Sequence, residues 1–315
     1  MSVIPKSPAL DEVRKVYHTP LLELAFQAAA IHREFHNSAK IKLSQLISIK
    51  TGSCVEDCMY CAQSSRYKTH VQPNGMLTID EVLTEARHAK EKGLERVCLS
   101  ASWRDVPEGK EFDDLLFMIE GVKKEGLSVC CTTGMINAEQ AEKLHNAGIT
   151  AYNHNLDTSD NYYQSIITTR SYKERLKTIE ILIDNGVQHC TGGIIGMGES
   201  EDDRISLIHQ LATLKKHPYT VPINMLVPIK GTPLENKPAI TSWEMIRMIS
   251  TVRIFMPSSM ICLAAGRLQL TDEAHALCFL AGANSIFVGT KLLTTPNPEM
   301  EYDQELLKKL GLTGY

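Results

Sequence analysis

The chain has 315 residues, 43% of them hydrophobic, and a formal net charge of −4, which is enough apolar content for a sizeable core and excludes a disordered chain. Its Lys and Arg residues are scattered, so a basic face that would track nucleic-acid phosphates is not expected. Nine cysteines, an odd count, suit metal binding or burial in a reducing compartment better than a disulfide framework.

The N-terminal stretch MSVIPKSPALDEVRKVYHTP has neither the apolar run of a secretion signal nor the acid-poor, Arg-rich character of an organelle leader. The following LLELAFQAAAI is interrupted by Glu23 and is too short to span a bilayer. A soluble, cytoplasmic protein with no membrane partner is expected. Residues from about Leu10 to His36 read as a helical extension, giving a division into 1–40 and 41–315.

Beyond the extension, short β-type runs alternate with amphipathic helical runs. The predicted strands are LISIKTG near Leu46, RVCLSA from Arg96, SVCCTTG from Ser128, AYNHNLD from Ala151, QHCTGGIIG from Gln188, TVPINMLV from Thr220, MICLAAG from Met260 and SIFVGT from Ser285. Between them lie TIDEVLTEARHAKEKG, FDDLLFMIEGVKKEG, NAEQAEKLHNAG, SYKERLKTIEILIDNG and SWEMIRMISTVRIF. The first four of these runs end at or just before a glycine and the fifth meets Pro257, as helix ends prefer. Eight strand-then-helix units in one series predict an α/β fold, a (β/α)8 TIM-type barrel.

The predicted barrel interior is too polar for a purely structural core. Cys98, Cys130, Cys190 and Cys262 each fall in the middle of a different strand, and AYNHNLD carries Asn153, Asn155 and Asp157 two residues apart. A period of two puts those three on one face, and turning them toward the surrounding helices would cost roughly 1–3 kcal/mol for each unsatisfied group. An inward orientation around a polar ligand is therefore expected, with Asn224 joining from the sixth strand. Thiols from four strands can meet only inside a closed barrel, where they make a soft site suited to an iron-sulfur cluster or zinc. Cys131 has the opposite parity to Cys130, and Cys278 lies in the apolar helix EAHALCFLAG; both are expected in the core. His154 alternates with the asparagines, so it is expected to point away from them and is assigned no chemistry.

The densest feature is CVEDCMYC, with Cys54, Cys58 and Cys61 in one loop after the first strand and Tyr60 beside the third. This places three thiolates at the C-terminal mouth, where barrel enzymes keep their chemistry. No second cysteine pair follows nearby, as a zinc ribbon would require. GIIGMG fits a loose glycine pattern but lacks the surroundings of a dinucleotide fingerprint, and TSDNYYQSIITTR reads as a loop over the mouth.

The motif resembles the signature of the radical S-adenosylmethionine superfamily. The stretches SIKTGSCVEDCMYCAQSSRYKT, YNHNLDTS, IITTRSYKERL, GGIIGMGES, VPINMLVPIKGTPL and FLAGANSIFVGTKLLTTPNP are similar to the biotin synthase family within it, from about Ile41 almost to the C-terminus. The resemblance implies a 4Fe-4S cluster on Cys54, Cys58 and Cys61, and a 2Fe-2S cluster on Cys98, Cys130 and Cys190. It implies S-adenosylmethionine contacts from Tyr60, Asn155, Asp157 and Arg175, with Asn153 and Asn224 near dethiobiotin, and in this family the glycine-rich strand end lets the backbone approach the adenine. It further implies radical sulfur insertion into dethiobiotin, no acid–base catalytic residue, an external electron donor of the flavodoxin or ferredoxin type, and a homodimer. One position departs from the family: Cys262 stands where an arginine usually serves as fourth ligand of the 2Fe-2S cluster, and Arg267 lies beyond the predicted strand. The expectation is that Cys262 completes a four-cysteine site; the alternative is a bystander thiol. Rival readings are a related radical enzyme with another substrate and a non-catalytic iron-sulfur protein.

Overall fold

The computed structural model describes residues 7–315, so the first six residues of the predicted extension lie outside the described residues. Two helices open the chain, α1 (Leu10–Tyr17) and α2 (Leu21–Phe35). The barrel strands follow as β1 (Lys40–Lys50), β2 (Arg96–Ala101), β3 (Ser128–Thr132), β4 (Ala151–Asn153), β5 in two pieces (His189–Cys190 and Gly193–Ile195), β6 (Thr220–Met225), β7 (Met260–Leu263) and β8 (Ser285–Val288). Every neighbour in this series pairs in parallel, and β8 returns to β1 with Lys42 opposite Ser285, which closes the barrel. The predicted (β/α)8 architecture is what the chain adopts.

The crossovers are α3 (Ile79–Glu91), α4 (Lys110–Lys124), α5 (Ala138–Asn146), a single turn α6 (Asp160–Tyr163) followed by α7 (Tyr172–Asp184), then α8 (Glu201–Ala212), α9 (Ser242–Phe255), α10 (Asp272–Leu280) and a final α11 (Met300–Lys309). Local chemistry sets their starts. Thr78, Asn137, Ser171 and Ser200 each accept a hydrogen bond from the backbone three residues on, and an acidic or amide side chain at that position reaches back. At the other end, Gly93 and Gly186 take the left-handed conformation that stops α3 and α7.

The outward strand faces supply the core. Ile47, Ile49, Val97, Leu99, Val129, Cys131, Ile261, Leu263 and Ile286 are buried against the helices, and Cys278 of α10 joins the same cluster, as expected for both cysteines. The N-terminal helices close the outside of the barrel, α1 on α8 and α9, α2 on α9 and α10. Arg253 of α9 ties this region together, donating to the carbonyls of Pro257 and Ser259 at 2.8 Å each and of Gly282 at 2.7 Å.

Several strands depart from their predicted extent: β1 begins at Lys40, six residues before LISIKTG, and two others break beside the cavity. β4 stops at Asn153, and Asp157 adopts a left-handed backbone with φ of 66°. β5 breaks at Thr191–Gly192, where the Asn155 side chain accepts from the Gly192 amide at 3.0 Å and so takes the place of a ladder bond. Leu156 N donates to the Gly192 carbonyl at 3.0 Å and Ile194 N to the Asp157 carbonyl at 2.8 Å, which carries the pairing past the break. Gly192 is compulsory there: a Cβ would sit 1.9 Å from the Pro222 carbonyl oxygen.

Candidate functional site

A cavity of about 1330 Å³, including its open mouth, runs along the barrel axis. Its wall is built by alternate residues of the strands. Ser44 and Leu46 come from β1, Arg96, Cys98 and Ser100 from β2, Cys130 and Thr132 from β3, Asn153 from β4, Cys190 from β5, Thr220, Pro222 and Asn224 from β6, Cys262 from β7, and Ser285 and Phe287 from β8. The register explains why the cysteines meet: Cys98 is opposite Cys130, which is opposite Ala151, while Cys190 is opposite Asn153 and Thr220. The side chains of Cys98, Cys130, Ala151 and Cys190 pack as one cluster. Cys262 faces the same cavity from the other wall, opposite Pro222 and Ser285. All four thiols are free and buried. Burial pushes Cys262 up to about 12, against the lowering effect of its contact with Ser285.

At the mouth, the loop after β1 brings Tyr60 and Cys61 into the wall. The loop is held by short-range backbone pairing: Cys54 N donates to the Gln63 carbonyl at 3.0 Å, Ser65 N to the Cys54 carbonyl at 2.8 Å, and Cys61 N to the Cys58 carbonyl at 2.9 Å. Burial raises Cys58 to about 12 and Cys61 to about 11. The Arg170 guanidinium lies 3.8 Å from the Cys58 sulfur and pulls the other way. The loop is also clasped from outside. Asp57 accepts from Thr168 N at 2.9 Å, Thr169 N at 3.2 Å and Thr169 Oγ1 at 2.9 Å, and from the Thr168 hydroxyl. Against the desolvation that opposes them, these bonds hold the Asp57 carboxyl at about 2. Thus TSDNYYQSIITTR contains α6, and its Thr168–Thr169 end grips the cysteine loop.

Tyr60, Asn155, Asp157 and Arg175 are brought together. Tyr60 donates to Asp157 Oδ2 at 2.8 Å, and the same oxygen takes a guanidinium contact from Arg175. Arg175 also donates to the Tyr163 hydroxyl at 2.8 Å and the Asn155 carbonyl at 2.6 Å. It stands behind Asp157 and does not line the cavity. The two asparagines assigned to the substrate region differ. Asn153 Oδ1 is buried with no partner, whereas Asn224 donates to the Gly193 carbonyl and accepts from Ala265 N, both at 3.1 Å. His154 is buried outside the cavity, with its pKa well below the ordinary value because of burial. Arg267 is committed to a buried pair with Asp303 and also lies outside the cavity.

The donor sets fit iron-sulfur groups. The inner end offers four soft thiols and no carboxylate, and the mouth offers three more cysteines on one loop. Among the described residues, no group of three or more His, Cys, Asp or Glu is placed to hold a single metal ion. Sequence reading did not single out Arg96, Asp57, Thr168, Thr169 or Arg170. Arg96 had a signal, since it shares parity with Cys98 in RVC; the clasp had none, because 111 residues separate Asp57 from Thr168.

The chain resembles solved barrels of distant sequence over 98% of its length. Methylornithine synthase matches with a TM-score of 0.80 at 19% identity, over 94% of that chain. The FeFe-hydrogenase maturase HydG from Carboxydothermus hydrogenoformans matches with a TM-score of 0.83 at 18% identity, over 76% of that chain. Residues 48–211 match the Radical SAM superfamily and residues 222–313 the Biotin and Thiamin Synthesis associated domain. The fold and the three-cysteine loop are therefore those of a radical S-adenosylmethionine enzyme. Biotin synthase from a Nostoc species is 54% identical over 305 residues, covering 96% of this chain and 91% of that protein. The mitochondrial biotin synthase of Arabidopsis thaliana is 53% identical over 303 residues, covering 96% and 80%, and that of Cytophaga hutchinsonii is 50% identical over 302 residues, covering 96% and 90%. The chain belongs to the biotin synthase family.

Proposed function

We infer that the chain is the sulfur-inserting transferase that converts dethiobiotin to biotin, with S-adenosylmethionine as cosubstrate. The observation that carries this reading is one cavity with four thiols from separate strands at its base and, at its mouth, Cys61 of a loop that also carries Cys54 and Cys58. When bound, a 4Fe-4S group on Cys54, Cys58 and Cys61 supplies the electron that cleaves S-adenosylmethionine, and a 2Fe-2S group on Cys98, Cys130, Cys190 and Cys262 supplies the sulfur.

The protein's own task is positioning. Arg170 supports the thiolate form of Cys58 against the burial that opposes it. Arg175 fixes Asp157 from behind while Tyr60 fixes it from the mouth side, leaving the carboxylate oriented toward a ribose. Asn155 has its amide oxygen occupied by Gly192 and presents its NH₂. The unpartnered oxygen of Asn153 suits a ureido N–H of the substrate, and Asn224 braces the strand ends around it. Leu226, Ile229, Leu292 and Leu293 give the mouth apolar walls that exclude water. The reaction draws electrons from an external one-electron donor of the flavodoxin or ferredoxin type.

The test is anaerobic reconstitution with iron and sulfide, followed by assay with S-adenosylmethionine, dethiobiotin and a reductant. Formation of both 5′-deoxyadenosine and biotin is expected. The nucleoside without biotin would reassign the substrate, and absence of both would overturn the enzyme reading.

A further inference from the structure

The base of the cavity holds a cation with no counterpart. Arg96 begins β2, two residues before Cys98 on the same strand face, and is 4% exposed. Its Nε and Nη2 are buried without any hydrogen-bond partner. Its one aromatic contact is the Tyr219 ring, whose centroid is 5.0 Å away. Among the described residues that line the cavity, only Arg96 and Asp157 carry a formal charge at neutral pH, and Asp157 is already paired with Arg175. An unpaired buried guanidinium is costly, and the fold has no carboxylate in this wall to offset it. The side chains that share this wall of the cavity with it are Cys98, two residues on along β2, Cys130, which is opposite Cys98 in register, and Cys190.

We propose that Arg96 is the counter-cation of the inner sulfur-ligated group, a positioning residue whose free N–H donors and positive charge are reserved for an anionic inorganic centre held by the surrounding thiolates. The inference rests on the 2Fe-2S reading of Cys98, Cys130, Cys190 and Cys262. Four thiolates leave such a centre net negative, and a guanidinium among them raises its reduction potential and slows its loss. With no anion bound, the same guanidinium is a liability. The effect of removing it should therefore change sign between the metal-free and the loaded protein, which a role in merely propping Tyr219 would not produce.

Arg96→Met keeps the aliphatic stem and removes the charge; Arg96→Lys keeps the charge. In the full-length metal-free protein, Arg96→Met is expected to melt at a higher temperature than the parent. After reconstitution with iron and sulfide, it should show a more negative midpoint potential for the inner centre, followed by EPR, and severalfold faster bleaching of that centre by a chelator. Arg96→Lys should restore most of both. Uptake of the inner centre by the Lys variant and not by the Met variant would also support the charge role. An unchanged midpoint potential in Arg96→Met, or loss of the centre from both variants, overturns it. If the parent itself forms no inner centre, the 2Fe-2S reading fails instead, and the melting temperatures of the metal-free proteins still report whether Arg96 is an unpaired charge.

Discussion

Cys262 lies across the cavity from the cluster of Cys98, Cys130 and Cys190, bracketed by Pro222 and Ser285. A thiolate there binds iron more firmly than a neutral or cationic nitrogen would, and adds negative charge to the inner centre. Cys262→Arg is expected to raise the midpoint potential of that centre and alter its EPR signal, and Cys262→Ser to shift its absorption and speed its loss; unchanged spectra in both would show that Cys262 is not a ligand. At the mouth, Asp157→Asn removes the anion that faces a buried Arg175. Breaking one side of such a pair costs about 3–5 kcal/mol, so this variant should lose stability in urea unfolding as well as activity, whereas Asp157→Asn combined with Arg175→Met should recover much of the stability without the activity. Strand parity made the inner thiols legible in the sequence, because a period of two survives even in short strands. It was less informative for Asn155 and Asp157: they reach the cavity through an irregular segment past the end of β4, and the alternation that grouped them does not describe their backbone.

Between elements, the cysteine loop after β1 is held by the segment that leads into α7. Asp57 accepts four hydrogen bonds from Thr168 and Thr169, and Met59 N donates to the Ile166 carbonyl at 3.1 Å. Hydrogen bonds to a charged acceptor are worth about 1.5–3 kcal/mol each, so Asp57→Ala should free the loop without unfolding the barrel. The expected outcome is severalfold faster loss of the outer centre to a chelator, with the inner centre's bleaching rate unchanged; equal loss of both would show that the effect is global. This contact was not legible in the sequence, since it depends on how far the fourth crossover folds back over the mouth. The helices themselves were legible, because their polar caps and terminal glycines act within one turn.

At the scale of the whole molecule, the barrel order followed from alternation alone, and the sensitivity of its outer side to acid follows from two buried histidines. His32 of α2 and His275 of α10 each have an Nε2 buried without a partner. Burial, then the neighbouring Arg253 and His36, lowers His32 to about 3, and burial with Arg267 lowers His275 to about 4. The folded chain therefore binds fewer protons than the unfolded chain below the ordinary histidine value of about 6.5. Stability from these groups is complete above that value and falls as the pH drops through it, by about 2 kcal/mol for each at pH 5. No helix among the described residues is long and apolar enough to cross a membrane. In the metal-free protein, the unfolding free energy should drop by about 4 kcal/mol more between pH 7.5 and pH 5 than in the variant carrying His32→Met and His275→Met. His32 lies on α2 where it meets α9 and α10, and His275 of α10 packs against Phe279 and against Tyr302 of α11, so hydrogen exchange at pH 5 should rise first in α2 and α10, ahead of β1 to β3. Equal pH dependence in parent and double variant would place the acid sensitivity elsewhere in the molecule.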